Sequence, residues 1–264
     1  MEPQSLKALW TEGRAALNGW LSIGDAFAAE IVARGGYDSV TIDLQHGMID
    51  DGDALAMIQA LRASGAAPLV RVPWLAPAPI MRALDMGAVG VVCPMVETAA
   101  QAAELVSYVR YPPAGTRSFG PTRAAIVEGA GYGETADARV ICFAMIETAR
   151  GFGEVDAIAA TPGLDGLYIG PADLTLALTG RRFRTGFDRE EPEMLDAIRT
   201  ILGAAKRAGI RAALHCGSPA YAARAIGWGF DLVTLPNDVR ILARGAAADV
   251  AAVRAALASP GPAA

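Results

Sequence analysis

The feature that most constrains this chain is an alternation. Eight short apolar runs, at 20–23, 39–43, 69–72, 90–93, 140–146, 166–169, 211–214 and 231–235, are separated by longer, Ala-rich stretches with helical spacing. The helical patterns fall at 26–33, 51–63, 78–86, 99–109, 155–160, 192–208, 219–228 and 238–257. Runs that are apolar almost without alternation suit parallel strands buried on both faces. Eight strand–helix units in 264 residues predict one closed (β/α)8 TIM barrel over 1–258, with a frayed tail at 259–264.

Helix punctuation agrees. Asp50 or Asp51 can cap the second helix, Gly35-Gly36 closes the first, and Ala-Leu-Asp-Met-Gly-Ala before Val89 reads as a helix end. The widest gap, 97–139, is predicted to hold one helix and then a Pro/Gly/Arg-rich loop, Tyr-Pro-Pro-Ala-Gly-Thr-Arg-Ser-Phe-Gly-Pro-Thr-Arg. A loop of that length is expected to serve as a lid or substrate wall.

Composition removes several function classes. Lys+Arg 23 against Asp+Glu 28 leaves a net charge of −5, with no basic stripe, so neither nucleic acid nor an anionic membrane surface is an expected partner. No unbroken apolar run reaches membrane-spanning length, and the first residues lack the apolar core of a signal peptide. A cytoplasmic location is the expectation. Cys93, Cys142 and Cys216 form no C-x-x-C pair and sit in apolar runs, as buried reduced thiols do.

Barrel chemistry sits at the carboxyl ends of the strands. Polar residues expected there are Asp43 and His46 after the second strand, Arg71 at the third, Glu147 at the fifth, Gly170-Pro171-Ala172-Asp173 after the sixth and His215 after the seventh. Glu147 and Asp173 can hold a hard divalent cation that keeps water or substrate oxygens in its other positions, or can serve as an ion-pair partner and a helix cap. Arg71 suits a carboxylate or a developing enolate oxygen, or neutralises a neighbouring acid. His46 near Asp43 suggests an acid–base dyad. The Gly-Pro-Ala-Asp turn can present backbone N–H groups to an anion. Arg117, Arg123 and His215 are candidates for the far side of a substrate.

Taken in order, Thr-Ile-Asp-Leu-Gln-His-Gly, Leu-Val-Arg-Val-Pro-Trp, Leu-Asp-Met-Gly-Ala, Val-Cys-Pro-Met-Val, Arg-Tyr-Pro-Pro-Ala-Gly-Thr-Arg-Ser-Phe-Gly, Met-Ile-Glu-Thr and Ile-Gly-Pro-Ala-Asp-Leu resemble the HpcH/HpaI aldolase family. These are metal-dependent pyruvate aldolases typified by 4-hydroxy-2-oxoheptanedioate aldolase. The resemblance runs from Trp20 to the last helix. It implies Glu147 and Asp173 as metal ligands for Mg²⁺, Mn²⁺ or Co²⁺, Arg71 at the 2-oxo oxygen, and His46 with Asp43 as the proton-transfer pair. It further implies Gly170, Pro171 and Ala172 at the substrate carboxylate, Trp20 at the mouth, and Asp85 reaching a neighbouring subunit's site. A homohexamer whose C-terminal helix is exchanged between subunits is implied as well. The chain departs from the pattern at Leu44-Gln45, at Met145 and at His215-Cys216-Gly217.

The expected reaction is reversible cleavage of a 4-hydroxy-2-oxo acid to pyruvate, or a pyruvate-like 2-oxo acid, and an aldehyde. A Schiff-base route needs a lysine at the mouth, and the two lysines, Lys7 and Lys206, lie elsewhere. The alternatives are a citrate lyase or malyl-CoA lyase-like enzyme, for which Arg181, Arg182 and Arg184 form the one basic group, and a catalytically silent barrel acting as a binding module.

Overall fold

In the computed structural model, which describes residues 5–258, the chain opens with α1 (Leu6–Thr11) and enters β1 (Ala16–Leu21). There follow α2 (Ala26–Ala33), β2 (Ser39–Asp43), α3 (Asp51–Ala63), β3 (Ala67–Arg71), α4 (Pro77–Asp85) and β4 (Gly90–Cys93). Next come α5 (Ala99–Val109), α6 (Thr122–Glu128), α7 (Tyr132–Arg139), β5 (Ile141–Ile146), α8 (Ala149–Gly153), α9 (Val155–Ala159) and β6 (Gly166–Ile169). The chain continues through α10 (Pro171–Thr179), α11 (Pro192–Arg207), β7 (Arg211–His215), α12 (Pro219–Trp228), β8 (Leu232–Thr234) and α13 (Asp238–Ala258). The frayed tail expected at 259–264 lies outside the described residues.

All eight strands are parallel and close as β1-β2-β3-β4-β5-β6-β7-β8, the predicted (β/α)8 barrel. The register sets Asp43 beside Arg71, so two opposite charges meet at adjacent strand ends. Apolar side chains on the outer strand faces pack against the helices, and a second cluster fills the barrel interior with Leu69, Val92, Phe143, Tyr168 and Leu232. Helix α1 closes the amino end with Leu6, Leu9 and Trp10, whose indole N–H donates to the Asp231 carbonyl at 2.8 Å. Asp50 caps α3 in a capping box with Asp53, and Gly36 and Gly87 follow α2 and α4 with φ of +90° and +101°. The three cysteines are buried and free.

Three expectations need correction. The first strand runs Ala16–Leu21 rather than 20–23, because Asn18, which breaks the apolar run, is satisfied inside the barrel. Its amide donates to Thr41 at 3.0 Å and Thr234 at 2.9 Å, and its carbonyl accepts from Ser39 at 2.8 Å. The stretch after α5 contains two further helices, α6 and α7. It also does not cover the mouth: α5 carries the chain back to the amino end, so this segment wraps the opposite face. There the Arg117 side chain is fully buried, pairs with Asp85 at 2.8 Å and lies 4.5 Å from the Tyr111 ring.

Beyond its buried first residue, α13 stands exposed, with Leu242 at 65%, Val253 at 60% and Leu257 at 82% accessibility. Among the described residues no helix is long and apolar enough to cross a membrane.

Candidate active site

A cavity of about 460 Å³ opens at the carboxyl ends of the strands. Of the residues singled out from sequence, Trp20, Asp43, His46, Arg71, Gly170, Ala172, Asp173 and His215 line it. Each sits at a strand end or on the turn that follows, so the barrel itself makes them converge.

On the β2–β3 side, the Asp43 carboxylate is enclosed by donors. Arg71 reaches it twice, Nε to Oδ1 at 2.8 Å and Nη2 to Oδ2 at 2.6 Å. The Trp20 indole donates to Oδ2 at 3.2 Å, and the backbone N–H groups of Gln45 and His46 donate to Oδ1 at 3.1 and 3.2 Å. Burial alone would raise this carboxyl, but these donors and the Arg71 charge hold it below the usual carboxylate range. Arg71 also lies 4.8 Å over the Trp20 ring. Its Nη1 makes no hydrogen bond to a described residue, which leaves one face of the guanidinium for a ligand.

The His46–Asp43 dyad takes a different form from the one expected. Asp43 meets the backbone N–H of His46, because Arg71 already occupies its oxygens in bidentate fashion. The His46 ring, exposed on the cavity wall, has no hydrogen-bond partner among the described residues and is free to meet a ligand or water.

The β5–β6 side is built the other way. Glu147 follows β5 and is buried, with Oε1 accepting from the Met95 N–H at 2.9 Å. Met95 sits in the left-handed region at φ +57°. Burial pushes the Glu147 carboxyl up to about 7, with the repulsion of Asp173 adding to it, and the Met95 N–H and the Arg71 charge oppose this without cancelling it. Asp173 lies in the first turn of α10, whose amino end has no side-chain cap. Pro171 is buried at that turn and has no N–H, so Ala172 and Asp173 present the first free amides. Gly170 leaves room for both carboxylate and thioether: a Cβ would come 2.4 Å from Glu147 Oε2 and 2.7 Å from Met145 Cε and would displace these side-chain ends.

The residues present fit a divalent cation. Glu147 Oε2 accepts no hydrogen bond from a described residue, and its neighbour is a second carboxylate rather than a cation. Among the described residues no group of three or more His, Cys, Asp and Glu gathers for a metal. Two carboxylates with room for water and substrate oxygens are the donor set that Mg²⁺ or Mn²⁺ uses.

His215 is a wall residue. It stacks on Phe187 with ring centroids 4.3 Å apart and meets the Trp20 ring edge-on at 4.9 Å. Burial, then Arg71 and Arg240, pushes it down to about 3, so it is neutral at ordinary pH. Three expected residues are absent from this mouth, the buried Arg117 among them. Asp85 and Arg123 lie at the amino end of their own barrel, Asp85 on Arg117 and Arg123 donating to the Met86 carbonyl at 2.7 Å. They belong to helix-to-strand connections, which run to that end, and would meet a mouth only on another copy.

Sequence reasoning missed Phe187, Asn237, Val239 and Arg240, which complete the rim. Arg240 lies 4.6 Å over the Phe187 ring. Phe187 and Asn237 come from the connections after β6 and β8, and Val239 and Arg240 from the first turn of α13; their place beyond a strand's carboxyl end was the signal available for them.

Comparison with known proteins agrees with this geometry. Residues 18–242 match the family model described as HpcH/HpaI aldolase/citrate lyase. A hydroxypyruvate/pyruvate aldolase of Rhizorhabdus wittichii is 41% identical over 250 residues, 95% of this chain and 98% of the relative. One of the same name from Paraburkholderia phytofirmans is 38% identical over 85% of this chain and 88% of its own. The crystal structure of a family protein from Burkholderia cenocepacia J2315 superposes with a TM-score of 0.83 at 36% identity, covering 91% of this chain and 95% of that one. This chain therefore belongs to the HpcH/HpaI aldolase/citrate lyase family.

Proposed function

We propose that this protein is a divalent-metal-dependent aldolase that reversibly cleaves a 4-hydroxy-2-oxo acid into pyruvate, or a pyruvate-like 2-oxo acid such as hydroxypyruvate, and an aldehyde. The observation that carries the reading is Glu147, a buried carboxylate beside Gly170 whose Oε2 has no donor among the described residues and whose charged neighbour is the Asp173 carboxylate. Relatives named hydroxypyruvate/pyruvate aldolase support the nucleophile.

Glu147 and Asp173 would hold the cation, which supplies Lewis-acid stabilisation of the enolate formed when the C–C bond breaks. The uncapped start of α10 receives the carboxylate of the 2-oxo acid through its amides. Arg71, immobilised by Asp43 and Trp20, adds fixed positive charge where the enolate oxygen develops, at no cost in reorganisation. His46 moves the proton between the C4 hydroxyl and water. Asp43 acts through Arg71, as its anchor. Phe187 and His215 form the apolar side of the wall that faces the aldehyde.

The exposed apolar positions of α13 support its exchange into a second copy, and with it a hexamer, which size-exclusion chromatography with light scattering tests. The reaction itself is tested by exchange of pyruvate methyl protons in D₂O. Exchange that requires Mg²⁺, Mn²⁺ or Co²⁺ and stops with EDTA is expected. Absence of exchange with every one of them would favour a silent barrel.

A further inference from the structure

At the amino end of the barrel, remote from the mouth, lies a larger cavity of about 820 Å³ between the bases of β3 and β5, the end of α3, and helices α6 and α7. Its charge is unbalanced. Arg62, Arg123 and Arg139 line it against one carboxylate, Glu128. That carboxylate is already shared, Oε1 by Arg62 and Oε2 by Arg139 at 2.7 Å. Arg123 has no carboxylate partner among the described residues and donates only to the Met86 carbonyl. Gly87 makes room for it, since a Cβ there would stand 2.7 Å from Arg123 Nη1.

The arginines also act on one another. Arg62, whose side chain is only 10% exposed, is held below its ordinary value first by burial and then by the charge of Arg123, and burial lowers Arg123 as well. Like charges brought together in a partly buried space repel unless an anion lies between them. Tyr132 does not supply one, since its hydroxyl accepts from Arg117, and Lys7, a further cation of the lining, is paired with Asp165. Planar guanidinium forks match oxyanions in two-point contacts, and the volume admits such an ion with its water.

We propose that this cavity is a second binding site, one for a compact oxyanion carrying two or more negative charges and held between Arg62 and Arg123. Inorganic phosphate and a small polycarboxylate share that chemistry. The metal, enolate and proton-transfer roles of the aldolase reading rest on none of these residues, so the two stand or fall separately.

The test is isothermal titration of the full-length, metal-free protein in EDTA at fixed ionic strength, with inorganic phosphate, citrate and acetate. Saturable binding of one phosphate or one citrate per chain is expected, with acetate much weaker. Arg123→Gln should weaken it by about tenfold or more, the size of a lost charge-assisted contact. Glu128→Gln should tighten it, because it removes the single negative charge, and a merely damaged fold would not bind better. Arg71→Ala, which alters the mouth, should leave it unchanged. The site is refuted if neither polyanion saturates in the millimolar range, if acetate binds equally, or if Glu128→Gln weakens binding. Binding that is lost with Arg71→Ala but survives Arg123→Gln belongs to the mouth and refutes it too.

Discussion

The two sides of the mouth carry the same kind of group in opposite states. At the ends of β2 and β3, Asp43 is enclosed by a bidentate arginine, an indole N–H and two backbone amides, and its carboxyl is held low. At the ends of β5 and β6, Glu147 has one backbone donor and an acidic neighbour, and its carboxyl is pushed up to about 7. Both are buried to the same degree, 2% exposed. Burial therefore does not separate them; the partner does. The first side is a finished support, and the second is short of one positive charge, which is where a cation would be held.

Substitution should expose this asymmetry. The largest effect expected is from Glu147→Gln, which should reduce metal-dependent pyruvate exchange, followed by proton NMR, to background. Asp43→Asn should act on the fold, because it leaves Arg71 buried with nothing to compensate it. A loss of about 3–5 kcal/mol in urea denaturation is expected. Equal loss of stability from Glu147→Gln in metal-free protein would break the comparison.

The pH dependence of metal-free protein sharpens it. The folded state keeps a proton on Glu147 that the unfolded chain releases near 4.5, so stability is full at low pH and falls as pH rises from about 4.5 through about 7. The loss is about 3 kcal/mol. Glu147→Gln should flatten that window in denaturation measured with EDTA, and added Mn²⁺ should restore the wild type above it.

Arg71→Ala should slow exchange by about 10²-fold while Mn²⁺ affinity is retained. Wild-type speed in that variant would reduce Arg71 to a partner of Asp43. The smallest effect belongs to His215, which is neutral at working pH, so His215→Asn should leave the shape of the pH–rate profile unmoved even if aldehyde preference changes.

Most of the barrel was legible because double-sided burial writes strands as apolar runs, and seven of the eight strands fall within two residues of their expected ends. The first strand was displaced because Asn18 is polar in composition yet fully paired inside, and pairing is invisible to hydropathy. Helices α1, α6, α7, α8 and α10 were missed or unplaced because, at five to nine residues, they are fixed by packing rather than by their own periodicity. In the site, strand-end position located Asp43, Arg71, Glu147 and Asp173, but not who pairs with whom. The register that brings Arg71 to Asp43, and so leaves the His46 ring free, is a property of neighbouring strands. Phe187 lay in a connection and Arg240 in the first turn of the last helix, with no motif to mark either.

Gly170 limits how this mouth can be redesigned. With Glu147 Oε2 on one side and Met145 Cε on the other, even a methyl group there would displace the acid that gives the pocket its character. Attempts to widen the range of aldehydes accepted therefore belong on the opposite rim, at Met48 or Val239, where side chains already face open space and can be exchanged without disturbing the acidic pair.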